Sequence, residues 1–378
     1  MIFSIAIPVF KQADLLPTAL ASLLVQKPAL QLAVVDATPD DSVQAVMADY
    51  AGRVHYARHG PDRGQSAAIQ EGWDNTSGEI VHWLCADDYL FPYALEEVEK
   101  VFRQHPDVDV VYGDSVFVNK GGEFIRYFPS ISQDISNIVA DCCISQPSCF
   151  VRRTAVEQVG NLNQELHYIM DWDLWTRLFK AGAKFHYLHK PLSATRIYKE
   201  TKTSSNSERR FAEIRNHLAK HTDYVSALRS MAGFQMVGRN YAEFGVAQPS
   251  PHIRTLAAAL TSLSHIKKGF TKNEKKRKGK NLYGLDTLTN QVQKCCQVYF
   301  PTYRSAPPTE IVVSTSERVS LNATIDGIGL PLSADTGQEP NQSVFRIPHS
   351  VGNGQHYFQI ALDSPQQAPW QLISVNLM

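Results

Sequence analysis

The sequence is poor in the features that mark specialised protein classes. Its charge is balanced, with 37 basic and 37 acidic residues over 378 positions. No overall field therefore draws it to nucleic acid or another polyanion. The six cysteines (Cys85, Cys142, Cys143, Cys149, Cys295 and Cys296) include no C-x-x-C pair, and four of them form two adjacent pairs. That spacing suits neither a zinc site nor a disulfide framework, and it predicts reduced thiols in a cytoplasmic protein. No apolar run approaches the ~20 residues that span a bilayer. The opening stretch, Met1 to Pro8, lacks the basic leader of a signal peptide and reads as a buried strand. No internal repeat is visible. What remains is an ordinary globular composition, 43% hydrophobic and 20% charged, in a chain long enough for two or three cores.

What is there is a regular alternation. Apolar runs at 3–9, 31–35, 53–57 and 79–85 read as strands. Between them, 14–26, 41–50 and 66–75 read as helices, with Leu16, Leu20, Leu23 and Leu24 at helical spacing in the first and Ile69, Gly72 and Trp73 on one face of the third. Such alternation predicts an α/β fold with a parallel sheet covered on both faces. Further strands are expected at 108–112, 146–151, 184–188 and 192–197, and a helix at 171–181. After about residue 203 the character changes. Residues 208–263 look largely helical, 267–280 hold eight Lys or Arg residues and one acid, and from 307 onward short Val/Ile/Tyr/Phe runs alternate with turn residues. The expected organisation is an α/β domain over 1–205, a mostly helical extension over 206–300, and a small all-β module over 307–378.

Ligands of open parallel sheets lie at the carboxyl ends of the strands. Asp36, Asp87 and Asp88 all follow strand ends. Adjacent side chains of an extended chain point to opposite sides, so Asp87 and Asp88 can serve two groups, a ribose hydroxyl and a divalent cation. Their alternative role is as caps of a following helix. In Asp62-Arg63-Gly64-Gln65, glycine lets the backbone approach a ligand, the next helix offers free N–H groups, and Arg63 suits phosphate. A plain capping box, with Asp62 and Gln65, explains the same residues. Asp171 stands in a first helical turn, four residues from Trp175, and suits a general base for a sugar hydroxyl. It too has a capping alternative.

In chain order, Ile7-Pro8-Val9-Phe10, Val35-Asp36, Asp62-Arg63-Gly64-Gln65, Ala86-Asp87-Asp88, Gln146-Pro147-Ser148, Asp171-Trp172-Asp173-Leu174-Trp175 and Arg196 resemble the family 2 glycosyltransferases over roughly residues 1–205. The resemblance implies a GT-A fold, a UDP- or dTDP-sugar donor, inversion at the anomeric carbon, and Mg²⁺ or Mn²⁺. By position it implies that Pro8 and Phe10 line the base pocket and that Asp36 binds the base edge. Arg63, Gln65 and Arg196 lie near the nucleotide, Asp87 contacts the ribose, and Asp88 holds the metal. It further implies that Asp171 is the catalytic base, with Gln146, Trp172 and Trp175 lining the acceptor side or the site. One departure stands out. Two residues after Arg196, where many relatives carry a histidine, this chain has Tyr198, followed by Lys199 and Lys202.

The implied partners are a nucleotide-sugar donor and a glycan or lipid-linked acceptor of bacterial surface polysaccharide synthesis, met in the cytoplasm or at the inner face of the plasma membrane. The 267–280 run fits a solvated linker, and it also fits an anionic membrane surface, at about 1 kcal/mol per basic residue. It lacks the interleaved aromatics of a nucleic-acid site. A nucleotidyltransferase would want a glycine-rich basic loop after the first strand, and Pro8 to Ala13 has no glycine. The remaining alternative is a carbohydrate-binding or scaffold protein with a degenerate transferase domain, against which Asp87, Asp88 and Asp171 all speak.

Overall fold

The structure is a computed structural model describing residues 1–128, 131–202, 207–223, 227, 281–287, 289–301, 308–332, 340–348, 357–366 and 368–378. The basic run 267–280 and most of the expected helical extension lie outside these residues; of its described part, 208–221 is helical but 281–300 forms strands, so the β-rich region includes residues from 281 rather than starting at 307. Four parallel strands open the chain: β1 (Ile2–Val9), β2 (Ala29–Asp36), β3 (Tyr56–His59) and β4 (Ile80–Trp83), in the order β3-β2-β1-β4. Helices α1 (Leu16–Leu24), α2 (Ser42–Ala48) and α3 (Gln65–Asp74) connect them. β1 is central and buried from Phe3 onward. α1 buries Leu16, Ala19, Leu20 and Leu23.

The second half of this domain comprises β5 (Tyr89–Leu90), α4 (Ala94–Gln104), β6 (Val110–Val118), β7 (Phe124–Tyr127), β8 (Cys149–Arg152), α5 (Arg153–Gln158), α6 (Met170–Lys180), β9 (Phe185–Arg196) and α7 (Glu208–His221). β8 runs antiparallel between β4 and β6. β9 lies parallel to β6, and near its carboxyl end it pairs antiparallel with β5.

Two sequence expectations change here. The strands expected at 184–188 and 192–197 are one strand. Its register against β6 skips His189, Lys190 and Leu192. Pro191, which lacks an N–H, sits at this irregularity, where a missing donor is tolerated. The strand expected from Gln146 begins only at Cys149, because Gln146–Ser148 form a 3₁₀ turn around Pro147.

The carboxy-terminal strands are β10 (Asn281–Leu282), β11 (Leu285–Asp286), β12 (Gln291–Val292), β13 (Cys295–Pro301), β14 (Glu310–Thr315), β15 (Asn322–Ile325), β16 (Ile328–Gly329), β17 (Gln342–Arg346), β18 (Tyr357–Asp363) and β19 (Trp370–Leu377). β13, β18, β15 and β16 form one antiparallel sheet. β19 pairs with β12 and β14 and touches β7 at Val375–Phe124. Polar contacts cross the same seam: Tyr127 Oη donates to Gln297 O at 2.7 Å, and Asn376 Nδ2 to Glu123 Oε1 at 2.8 Å. The apolar core runs without a break from Trp73 and Phe124 to Val298 and Phe345. All six cysteines carry free thiols. No helix among the described residues is long and apolar enough to cross a membrane.

α3 can lie close on the sheet because Gly72 has no side chain. A Cβ there would stand 2.7 Å from Ala6 Cβ and 3.2 Å from Ala33 Cβ. Alanine is the better helix former by about 1 kcal/mol. Overpacking costs about 1–3 kcal/mol, and here its targets are short side chains rooted in the central strands. Gly72→Ala is therefore expected to lower the urea midpoint. An unchanged or raised midpoint would show that α3 moves away from β1 freely.

Candidate active site

Pairing of β1 with β4 ends at Ala6–Trp83, closed by Leu84 N–H donating to Ala6 O at 2.9 Å. Beyond it the strands part. Pro8, buried and unable to donate, occupies the stretch of β1 that pairs with β2 alone. This is where the strand order reverses, and crevices at such points hold ligands. Asp87 and Asp88 follow β4 directly into it. They cap no helix. Asp88 N–H closes a turn on Cys85 O at 3.0 Å, the chain continues into β5, and α4 starts only at Ala94.

Both carboxylates are buried. Burial raises the pKa of each, and Asp87's charge adds to the rise at Asp88. The end of β9 offsets this. Arg196 N–H donates to Asp88 Oδ1 at 3.0 Å, and its guanidinium donates to Asp87 O at 2.6 Å while lying 4.9 Å over the Tyr89 ring. Arg196 Nε is buried with no hydrogen-bond partner among the described residues. Tyr198, at the place of the family's histidine, donates its hydroxyl to Asp87 Oδ2 at 2.9 Å and accepts from Gln12 Nε2 at 3.2 Å.

α3 brings Gln65 to the same place. The turn before it is an Asp62-anchored loop with Gly64 at φ 114°, where Asp62 Oδ1 accepts from Gly64 N–H at 2.7 Å. Gln65 completes no capping box. Its amide donates to Cys85 Sγ at 3.2 Å and accepts from Lys202 Nζ at 2.8 Å. Lys202 also donates to His167 O at 3.2 Å, and burial lowers its pKa. Arg63 goes elsewhere. It bonds Gln164 Oε1 at 3.3 Å and lines an open cleft of about 550 Å³ along α3 with Arg58, Gln70, Glu71 and Asp74. None of Asp36, Asp87, Asp88 or Asp171 lines that cleft.

Asp36 ends β2 in register with Val9 and His59. One carboxylate oxygen accepts Thr38 N–H at 2.8 Å, and the other meets His59 Nδ1 at 2.6 Å. Beside it Phe10 is 58% exposed, with Lys11 Nζ 5.1 Å from its ring centroid. An exposed ring next to a buried carboxylate offers a face for stacking and an edge acceptor.

Asp171 lies in the first turn of α6, whose N-cap is Ile169. Its Oδ1 accepts Trp172 N–H at 2.8 Å. Burial raises its pKa to about 6, against the opposing pull of that N–H and of Arg210. The start of α6 is tied to the start of α3: Ser66 Oγ donates to Leu166 O at 2.9 Å and meets Met170 Sδ at 2.6 Å. Gln146 Nε2 donates to Trp83 O at 2.6 Å, bracing β4 just before the aspartates.

Trp172 and Trp175 do not line the crevice. Trp172 is 2% exposed, donates to Ile138 O and packs on His217. Trp175 is fully buried and stacks on Trp83 at 5.8 Å. Their helical spacing is that of a core face, and the expectation that they form an acceptor surface is corrected accordingly.

Residues 4–160 match the family model described as Glycosyl transferase family 2. The match covers less than half of the chain, its amino-terminal region, which is similar to that family. Its mixed α/β sheet accords with the GT-A-like fold that the family resemblance implies. The chain is 24% identical over 213 residues to an uncharacterized glycosyltransferase of Rickettsia conorii, covering 52% of this chain and 34% of that protein. It is 29% identical over 126 residues to the O-antigen biosynthesis protein RfbC of Myxococcus xanthus, covering 33% and 10%. The chain thus spans about a third or less of the length of these relatives. The crystal structure of S. aureus TarS 1–349 in complex with UDP-GlcNAc aligns with a TM-score of 0.49 at 18% identity, over 64% of this chain and 72% of that one.

The residues present fit a divalent cation. Ligand atoms of Cys85, Asp87 and Asp88 lie within 4.8 Å of one another. Two buried carboxylates whose pKa values are raised gain from a cation beside them, and oxygen donors suit Mg²⁺ or Mn²⁺. Burial raises the Cys85 thiol well above its ordinary range, which keeps it a weak ligand for a hard ion. Sequence reasoning missed His59, Gln12 and Cys85. His59 and Gln12 are legible only once the fold places them beside Asp36 and Tyr198, whereas Cys85 stands three residues before Asp88 in the turn after β4. Asp88→Asn is expected to weaken Mn²⁺ binding at least tenfold, as read by the paramagnetic signal of free Mn²⁺ in titration. Equal binding by the variant would remove Asp88 as a ligand.

Proposed function

We propose that the chain moves a sugar from a UDP- or dTDP-sugar to a hydroxyl of a glycan or lipid-linked acceptor, with inversion, in the assembly of a bacterial surface polysaccharide. The observation that carries this reading is the buried Asp87–Asp88 pair at the switch point, joined through the α3–α6 contact to a carboxyl with a pKa of about 6. Phe10 stacks the base and Asp36 accepts from its edge, while Asp87 accepts from the ribose. Asp88 holds the cation, which when bound neutralises charge on the diphosphate. Lys202 and Arg196 add positive charge on the same side.

Asp171 takes the proton from the acceptor hydroxyl. That oxygen forms a bond to the anomeric carbon as the bond to the diphosphate oxygen breaks, and the nucleoside diphosphate departs with the electron pair. One displacement of this kind inverts the centre. The name of RfbC supports an envelope polysaccharide as product, and the basic run 267–280 supports action at the cytoplasmic face of an anionic membrane.

A carboxyl with a pKa near 6 is an effective base at neutral pH. It must be ionised to accept a proton. Turnover is therefore expected to be level above about pH 6 and to fall tenfold per pH unit below it. Asp171→Asn should lower kcat by about 10²–10⁴ with donor affinity kept.

The test is release of nucleoside diphosphate from a panel of UDP- and dTDP-sugars with Mn²⁺, alongside melting temperatures with UDP and dTDP. A ligand at a hundred times its Kd stabilises by about 2.7 kcal/mol. No release and no shift with either nucleotide would overturn the reading.

A further inference from the structure

A second group of metal-ligating side chains lies apart from the aspartate crevice. His217 and His221 are four residues apart on α7, so both rings face one side of the helix. Opposite them is Asp173 in the first turn of α6, buried to 5% exposure. One ligand atom from each of the three lies within 4.8 Å of the other two. We propose that Asp173, His217 and His221 form a transition-metal site, suited to Zn²⁺, that clamps α7 onto α6.

The chemistry of the donors fits. Two imidazoles and a carboxylate, with water as a fourth ligand, are a zinc set, and the hard ions Mg²⁺ and Ca²⁺ prefer all-oxygen sites. Zinc takes these ligands at about 2.0–2.2 Å, which puts them about 3.4 Å apart. The ligand atoms, now within 4.8 Å of one another, close to that spacing on binding.

The surroundings are prepared in the way metal histidines usually are. His217 faces Thr176 Oγ1 at 3.3 Å through Nε2 and is also hydrogen-bonded to the backbone of Val139. The backbone contact fixes ring orientation, and a metal at Nε2 takes the place of the Thr176 hydroxyl. The two imidazole centroids are 4.8 Å apart. His221 Nε2 is buried and has no hydrogen-bond partner among the described residues. A buried polar nitrogen left so is costly, and a bound ion satisfies it.

Two cations now sit on these ligands. Arg177 Nε contacts Asp173 Oδ2 at 2.7 Å, and Lys180 Nζ is 2.8 Å from His221 Nδ1. Arg177 contacts one oxygen and leaves the other to a metal. Lys180 is exposed and free to turn into solvent. Clamping matters because α6 carries Asp171, and the charge of Arg210 on the first turn of α7 acts on that carboxyl.

The test uses the full chain carrying Asp88→Asn, so that the donor-site cation does not interfere. Zn²⁺ is titrated by calorimetry against a chelator of known affinity, and melting temperature is followed in parallel. Adding His221→Ala, and separately His217→Ala, is expected to remove one equivalent of Zn²⁺ and the accompanying rise in melting temperature. Co²⁺ should give a visible absorption that both variants lose. His217 is the more buried, so His221→Ala decides if the other fails to fold. Equal stoichiometry in folded His221→Ala overturns the site, whatever the donor assays show.

Discussion

Two like charges are buried side by side where the sheet opens, and much of the domain is arranged around keeping them there. Burial alone drives Asp87 and Asp88 toward protonation. Much of the opposition comes from the end of β9 and the residues just after it, through the backbone N–H and guanidinium of Arg196 and the hydroxyl of Tyr198, with Gln12 adding to it at Asp87. β9 reaches that position because β6 pairs with it over nearly its whole length and β5 pairs with Ser193 and Ala194 on its other side. A partly neutralised pair is a poor resting arrangement for folding and a good one for a cation, since the protein keeps the charges buried and lets the ligand complete them.

The same economy of position shows in the seam between β6 and the carboxy-terminal strands. Asp114, fully buried on β6, accepts from the hydroxyls of Tyr187 on β9 and Tyr283, the latter at 2.6 Å. Asp114 sits at the register shift that Pro191 accompanies. The irregularity in β9 and the attachment of the later strands therefore meet at one carboxylate. The strand that positions Arg196 is held from two sides, by β6 within the α/β domain and by a tyrosine from beyond residue 280.

The α/β alternation and the three aspartate positions were legible in the sequence because each rests on local pattern: an apolar run, then a carboxylate at its end. Leu16, Leu20 and Leu23 gave α1, and Val81 to Asp88 gave β4 and its pair. What could not be read was anything set by register between distant segments. His59 joins Asp36 only because β3 pairs with β2. Cys85 meets Gln65 only because α3 begins beside the β4 turn. The tryptophans misled for a related reason. Four-residue spacing from Asp171 fixes a shared helix side, but not whether that side meets solvent or the sheet, and Trp175 meets the sheet. Arg63 misled because the turn with Gly64 at φ 114° sends its side chain along α3 to Gln164 and the open cleft, not into the aspartate crevice.

That buried side of α6 explains how the separate parts of the site keep a common frame. Trp83, on β4 just before the aspartates, packs edge-on against Trp73 of α3 at 5.7 Å and stacks on Trp175 of α6 at 5.8 Å. α3 carries Gln65, β4 leads to Asp87 and Asp88, and α6 carries Asp171. Each aromatic pair contributes about 0.5–1.5 kcal/mol beyond its burial. The larger effect is geometric, because three elements that share one rigid contact cannot shift independently. Trp175, expected to touch an acceptor, instead stands behind the crevice, and from there it sets the spacing between the residues proposed to face the donor and the one proposed to act on the acceptor.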